Sequence, residues 1–250
     1  MLVLPAFFTM WPALGSGGCF HNPRMTEPVI EASQRHKLYP QFLRKPRSFV
    51  FWAVCVNLVT YAVYPSVNWL ASLRSQRYDF ITPWDAMIPL VPEFIFVYFS
   101  FFPFLALPFW LVGQPDIDAL GKRQVAGTLI CGLIFVLFPA NLAFDRVIPD
   151  AEPYRSIFSL MFFVDKPHNL LPSLHIVYTA LTCTAICKAQ WLRGRHWLCG
   201  LMVVWSVAIC ASTMLVHQHH VLDVVTALML TALLYVLIRP LKVPPQPPRI

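Results

Sequence analysis

Long apolar runs, each close to the length that crosses a bilayer, alternate with short polar links along most of this chain. They fall at about 49–70, 87–112, 125–144, 173–192, 197–216 and 219–238, and each approaches the ~20 residues a helix needs to span ~30 Å of hydrocarbon. The pattern predicts an all-α fold, a polytopic membrane protein with six transmembrane helices in one bundle over residues 49–238. A leader (1–48) precedes the bundle and a proline-rich tail (239–250) follows it. Asn57 and Pro65 interrupt the first run. The second is rich in phenylalanine and carries Pro89, Pro92, Pro103 and Pro108; neighbouring helices can re-satisfy the backbone groups that proline frees, so it reads as one bent span. Pro172 and Ser173 suit the opening of the fourth helix, where a missing amide hydrogen costs nothing and a hydroxyl can cap. The longest link, 145–172, holds an apolar patch at 157–164 that can dip into the interface. Trp69 and Trp84 suit interface anchors. No internal repeat is visible.

Composition agrees with lipid as the solvent. The chain is 57% hydrophobic and 12% charged, against roughly 45–50% and about 25% in soluble domains. The net charge of +7 is scattered between apolar runs rather than gathered on one face, which fits topology charges and not a nucleic-acid partner. Of the 19 Lys and Arg, only Arg74, Arg77, Arg146, Arg155 and Lys166 fall in the first, third and fifth links. The positive-inside rule then puts both termini in the cytoplasm and those three links outside, in the periplasm, exterior or a lumen. The seven cysteines lie mostly inside apolar runs without a CxxC pair, and read as small membrane-helix residues rather than as a disulfide framework or zinc site. The apolar stretch at 2–14 is too short to span and lacks a basic flank, and Met25 is a possible alternative start.

Two outward-facing boundaries carry the candidate chemistry. One is the segment 212–223, with His217, His219, His220 and Asp223; the other is Pro172-Ser173-Leu174-His175. Helical spacing would stack His219 on Asp223, so that the carboxylate fixes one imidazole nitrogen and leaves the other as an aimed base or nucleophile. An ionisable residue in a membrane helix costs roughly 2.5–3.5 kcal/mol on insertion scales, so Asp223 needs a partner. His175, near a helix N-terminus, is placed to protonate a leaving oxygen while Ser173 and free amides hold an anion. His217 and His220 read as interfacial polar residues. A zinc site from His217, His219 and His220 is disfavoured because adjacent histidines on a helix point apart.

Pro172-Ser173-Leu174-His175, followed by Ser212-Thr213-x5-His219-x3-Asp223, resembles the type 2 phosphatidic acid phosphatase superfamily, which includes the vanadium haloperoxidases. The likeness covers roughly residues 85–238. It implies that His219 attacks phosphorus to give a phosphohistidine, that Asp223 orients it, that His175 protonates the leaving group and that Ser173 binds phosphate, with no cofactor or metal. Two departures stand out. Thr213 follows Ser212 where the phosphatases have arginine, and the Lys-x6-Arg-Pro motif is missing from the third link. Lys166 and Arg155 are the favoured replacement cations, with Ser212 as a further phosphate ligand, and Arg146 is the other cation in that link. The losses lean toward the similar inositol phosphorylceramide and sphingomyelin synthases, in which the acceptor is a lipid hydroxyl. The expected protein is therefore an integral-membrane phosphatase or phosphotransferase acting on a lipid phosphate from the outer side. The alternative is a non-enzymatic transporter or lipid binder; an ionisable set at one interface and the lack of a repeat argue against it.

Overall fold

The computed structural model describes residues 32–240 apart from Pro115, Lys166, Gln190, Trp191 and Arg193, with side chains described from Arg47 onward. The chain divides at Leu38/Tyr39, and among the described residues every regular element is a helix. In chain order these are α1 (Ala32–Ser72), a 3-10 turn (Asp85–Met87), α2 (Phe94–Phe99), α3 (Phe101–Ala106), α4 (Pro108–Leu111), α5 (Asp116–Leu137), α6 (Tyr154–Val164), α7 (Leu174–Cys187), α8 (His196–Leu215) and α9 (Val221–Leu237). Among the described residues four segments are long and apolar enough to cross a membrane: Arg47–Ser72, Phe94–Leu111, Asp116–Leu137 and His196–Leu215. The protein is thus all-helical and has the marks of an integral membrane protein.

The short α7 is the hub. It packs against α3, α4, α5, α8 and α9, and its buried residues, from Leu174 through Ile186, point in every direction around the helix. At about 1.5 Å per residue, its 14 residues make a rod of only ~21 Å. A helix enclosed by protein can afford that, because its ends need not reach the headgroups. α1 lies on the flank and docks on α5 at two glycines. A Cβ at Gly121 would fall 2.3 Å from the Trp52 ring, and one at Gly132 would fall 2.4 Å from Val63. Small residues let membrane helices approach this closely. Polar bonds pin the same contact, since Trp52 Nε1 donates to Asp118 Oδ1 at 2.8 Å and Ser48 Oγ donates to the same oxygen.

Several boundaries shift for physical reasons. The third helix begins at Asp116, not near residue 125, because Asp116 and Asp118 occupy its first turn, where acids complement the dipole. Arg123, expected as a topology charge, is buried. Its Nε and Nη2 donate to Ile238 O at 2.9 and 2.6 Å, capping the end of α9, and its guanidinium lies 3.8 Å from the Tyr235 ring centroid. The second apolar run is broken at Ser100, whose Oγ donates to Val97 O and accepts Trp205 Nε1–H. The apolar patch of the third link is α6, with Phe158 and Met161 packed inward and Leu160, Phe163 and Val164 exposed. The reading of the cysteines needs one correction: Cys187 and Cys199 form a disulfide between the end of α7 and the start of α8. Their Cα atoms lie 5.1 Å apart across eleven intervening residues, a proximity that sequence periodicity does not report.

The α1–α5 contact makes a direct prediction. Gly121→Ala should destabilise the detergent-solubilised protein by roughly 1–3 kcal/mol through overpacking against Trp52. Gly200→Ala, where the added methyl meets nothing within 4 Å, should be neutral or slightly stabilising in the same thermal melt.

Candidate active site

The site begins where α8 stops. Val216 is the last cap residue and His217 turns left-handed at φ 55°. His217 N–H donates to Met214 O and Gln218 N–H to Thr213 O, each at 2.9 Å. These two bonds make a Schellman motif, with histidine where glycine is usual. His217 is held there by a stacked Phe144 at 4.2 Å and by Nε2 lying 3.1 Å from Ile88 O. The reversal takes one further residue, His219, before His220 caps α9. His219 is therefore not on the helix, as its spacing suggested. It stands just before it, and Asp223 sits in the first turn.

Asp223 gathers this corner together. Its Oδ2 accepts the His220 N–H at 2.8 Å and lies 3.2 Å from His219 Nδ1. Its backbone carbonyl accepts the Ser173 N–H at 3.2 Å, which fastens the Pro-Ser-Leu-His turn to the start of α9. Ser173 caps α7 by accepting Ile176 N–H at 3.4 Å. The first amides of α7 have no partner within the helix ladder. Across this junction the His175 and His219 rings stand 6.1 Å apart. His175 also packs on Phe101 and Tyr98, with Nε2 3.1 Å from the Tyr98 hydroxyl. With Asp223 holding Nδ1–H of His219, the Nε2 lone pair is the one left for chemistry.

The structure brings His175, His219, Asp223 and Ser173 together, and disperses the other predicted phosphate ligands. Ser212 is buried with Oγ donating to Ile209 O inside α8. Arg155 pairs with Asp150 at 3.3 Å on the surface. Lys166 lies outside the described residues. Among the described residues the cation beside the cluster is Arg146, whose Nη1 donates to Asp165 O at 2.7 Å and to Phe162 O at 3.3 Å. Burial pushes that guanidinium's pKa down, while the neighbouring Asp165, Tyr64 and Tyr98 pull it back.

Four further residues at the site carried no signal in the sequence. Asp165 receives the Tyr64 hydroxyl at 2.7 Å. Burial raises its carboxyl pKa, against the opposing pull of that hydrogen bond and of His219 and Arg146. Asp85 is 1% exposed and binds the first amide of α9, Val221 N–H, at 2.8 Å, with Thr82 N–H and Oγ on its other oxygen. Burial alone would raise it; the three donors hold it below the ordinary carboxylate range. Tyr64 and Tyr98 lie within apolar runs, where a tyrosine is indistinguishable from a packing residue. Asp85 and Asp165 lie in polar links, where an acid is ordinarily solvated.

His220, expected at the interface, is fully buried. Its Nε2 accepts Ala143 N–H at 3.1 Å and its ring stacks on Phe144. Burial lowers its pKa despite the nearby Asp223 and Asp85, so the folded protein holds it neutral where the unfolded chain takes up a proton near pH 6.5. Its contribution is thus complete above that pH and is lost as pH falls below it. Asp165, whose folded pKa is raised, acts with the opposite sign above the ordinary carboxylate pKa of ~3.9. The melting temperature of His220→Gln, which keeps an acceptor but cannot titrate, should fall less than wild type between pH 7 and 5. Asp165 is common to both proteins and drops out of that difference.

No protein-family model matches the chain, and no curated protein or solved structure matches it.

Proposed function

We propose that this is a six-span integral-membrane enzyme that transfers the phosphoryl group of a lipid phosphate through a phosphohistidine at His219. In this reading α7 and α9 join the four longer spans, both termini are cytoplasmic and the histidine corner faces outward. The resemblance of the two motifs to the type 2 phosphatidic acid phosphatase superfamily supports it. The observation that carries it is the meeting of His175 and His219, 6.1 Å between rings, with Asp223 on one nitrogen of His219 and a helix N-terminus alongside.

The steps follow from that geometry. The phosphate sits at the opening of α7, where the amides of Leu174 and His175 and the dipole favour an anion. His219 Nε2 attacks phosphorus as the bond to the leaving oxygen breaks, and His175 gives that oxygen its proton. Asp223 stabilises the charge that grows on the His219 ring. In the second step His175 takes the proton of an incoming hydroxyl, whose oxygen displaces His219 from phosphorus. With water the product is inorganic phosphate; with a lipid alcohol it is a new phosphoester. The phosphoryl transition state spreads charge over its equatorial oxygens, so most of the catalysis is positioning and electrostatics.

The scarcity of cations favours transfer to a lipid hydroxyl as a second reading. Among the described residues Arg146 is the cation next to the cluster, and two backbone carbonyls already occupy it. A donor phosphodiester with one negative charge suits such a site better than a phosphate monoester with two.

The test is phosphate release from a panel of lipid phosphates by purified protein in detergent with EDTA, repeated with ceramide or diacylglycerol as acceptor. Activity should persist in EDTA. His219→Ala and Asp223→Ala should lower it by at least roughly 10³-fold, the scale of losing a nucleophile or its partner. Tyr98→Phe, which leaves His175 in place but unbonded, should cost about tenfold and shift the pH profile of kcat. Activity that survived His219→Ala would end the proposal, and dependence on added zinc or magnesium would move the protein to a metal-dependent class.

A further inference from the structure

Two cavities meet at Arg74. One, of about 530 Å3, is lined by Arg74, Ser75, Gln76, Arg77, Tyr78 and Asn141. The other, of about 320 Å3, is lined by Leu70, Ala71, Leu73, Arg74 and Val136. The first is polar and lies just beyond the ends of α1 and α5. The second is apolar and runs between those two helices, both candidate membrane spans, with Leu70 and Leu73 exposed. An apolar slot on the lipid-facing flank that shares Arg74 with a basic chamber at the helix ends matches an amphiphile with an anionic head.

The arginines are equipped for such a head. No carboxylate pairs with either of them among the described residues. Arg77 Nη2 donates to Ser72 O at 3.2 Å, while its Nε is buried without a hydrogen-bond partner. The far wall is rigid, because Tyr78 N–H donates to Pro139 O and Asn141 N–H to Tyr78 O, and Asn141 Nδ2 reaches Asp79. Two residues beyond Asn141, Ala143 N–H binds His220 Nε2, so the cavity shares a wall segment with the histidine corner.

We propose that this paired cavity docks one membrane phospholipid, its phosphate on Arg74 and Arg77 and an acyl chain along Leu70, Leu73 and Val136. The site rests on the protein's membrane character and is independent of the phosphoryl-transfer reading.

The experiment is thermal unfolding of the detergent-purified full chain, titrated with long-chain phosphatidylglycerol, with diacylglycerol of the same chains, or with inorganic phosphate. It is repeated in a His219→Ala background to remove turnover. Phosphatidylglycerol should raise the melting temperature and the other two should not. Arg74→Gln/Arg77→Gln should weaken the phosphatidylglycerol response at least roughly tenfold in concentration. Arg74 is exposed and makes no bond that the fold needs, so Arg74→Gln alone keeps the test valid if the double variant does not fold, and should give a partial loss. An unchanged response in these variants, an equal response to diacylglycerol, or saturation by inorganic phosphate alone would overturn the proposal.

Discussion

A carboxylate with no exposed surface at the mouth of an apolar helix needs donors, and Asp223 draws the surrounding backbone and side chains toward its Oδ2. Leaving a buried charge unpaired costs about 3–5 kcal/mol. Its side chain takes the His220 amide and the His219 ring, and its backbone carbonyl takes the Ser173 amide. One residue therefore fixes the cap of α9, the tautomer of His219 and the seating of the Pro-Ser-Leu-His turn. A second buried acid, Asp85, holds the same helix start from the other side through Val221 N–H. The chain's own bonds hold this corner together, the preorganisation that the proposed phosphoryl transfer would need.

The reversal between α8 and α9 makes that arrangement possible. A left-handed histidine at His217 costs roughly 1–2 kcal/mol relative to glycine, yet it places His219 in the five-residue gap between α8 and α9 rather than on either helix. From there the ring can reach Asp223 and still face His175. A His219 on a continuing helix would be held to a fixed direction by the turn beneath it. The central α7 completes the geometry: because protein encloses it, its N-terminus can sit inside the bundle, away from bulk lipid.

The apolar periodicity made the helical class, the long spans and the membrane character legible, and the motif spacing brought four site residues to one corner. What it missed falls into two kinds. Residues 116–124 looked like a link because they are charged, yet Arg123 is capped into the interior by Ile238 O and covered by Tyr235. Burial of a charge is decided by a partner more than a hundred residues away and leaves no local trace. The site's other members, Tyr64, Tyr98, Asp85 and Asp165, are ordinary residues in ordinary contexts until the fold converges on them. Arg155 shows the converse: favoured as a replacement cation of the third link, it pairs with Asp150 on the surface, and its place in the link said nothing about where its side chain would lie.

The central claim is that His219 carries the phosphoryl group. It is tested most directly by rapid acid-free quenching of the purified protein during turnover of a phosphate-radiolabelled lipid, followed by mapping of the labelled peptide. An acid-labile, base-stable label is expected on the peptide containing His219, absent in His219→Ala and accumulating in His175→Ala when the leaving group needs no proton. A label that persists in His219→Ala, or turnover under these conditions without any protein-bound phosphate, would contradict it.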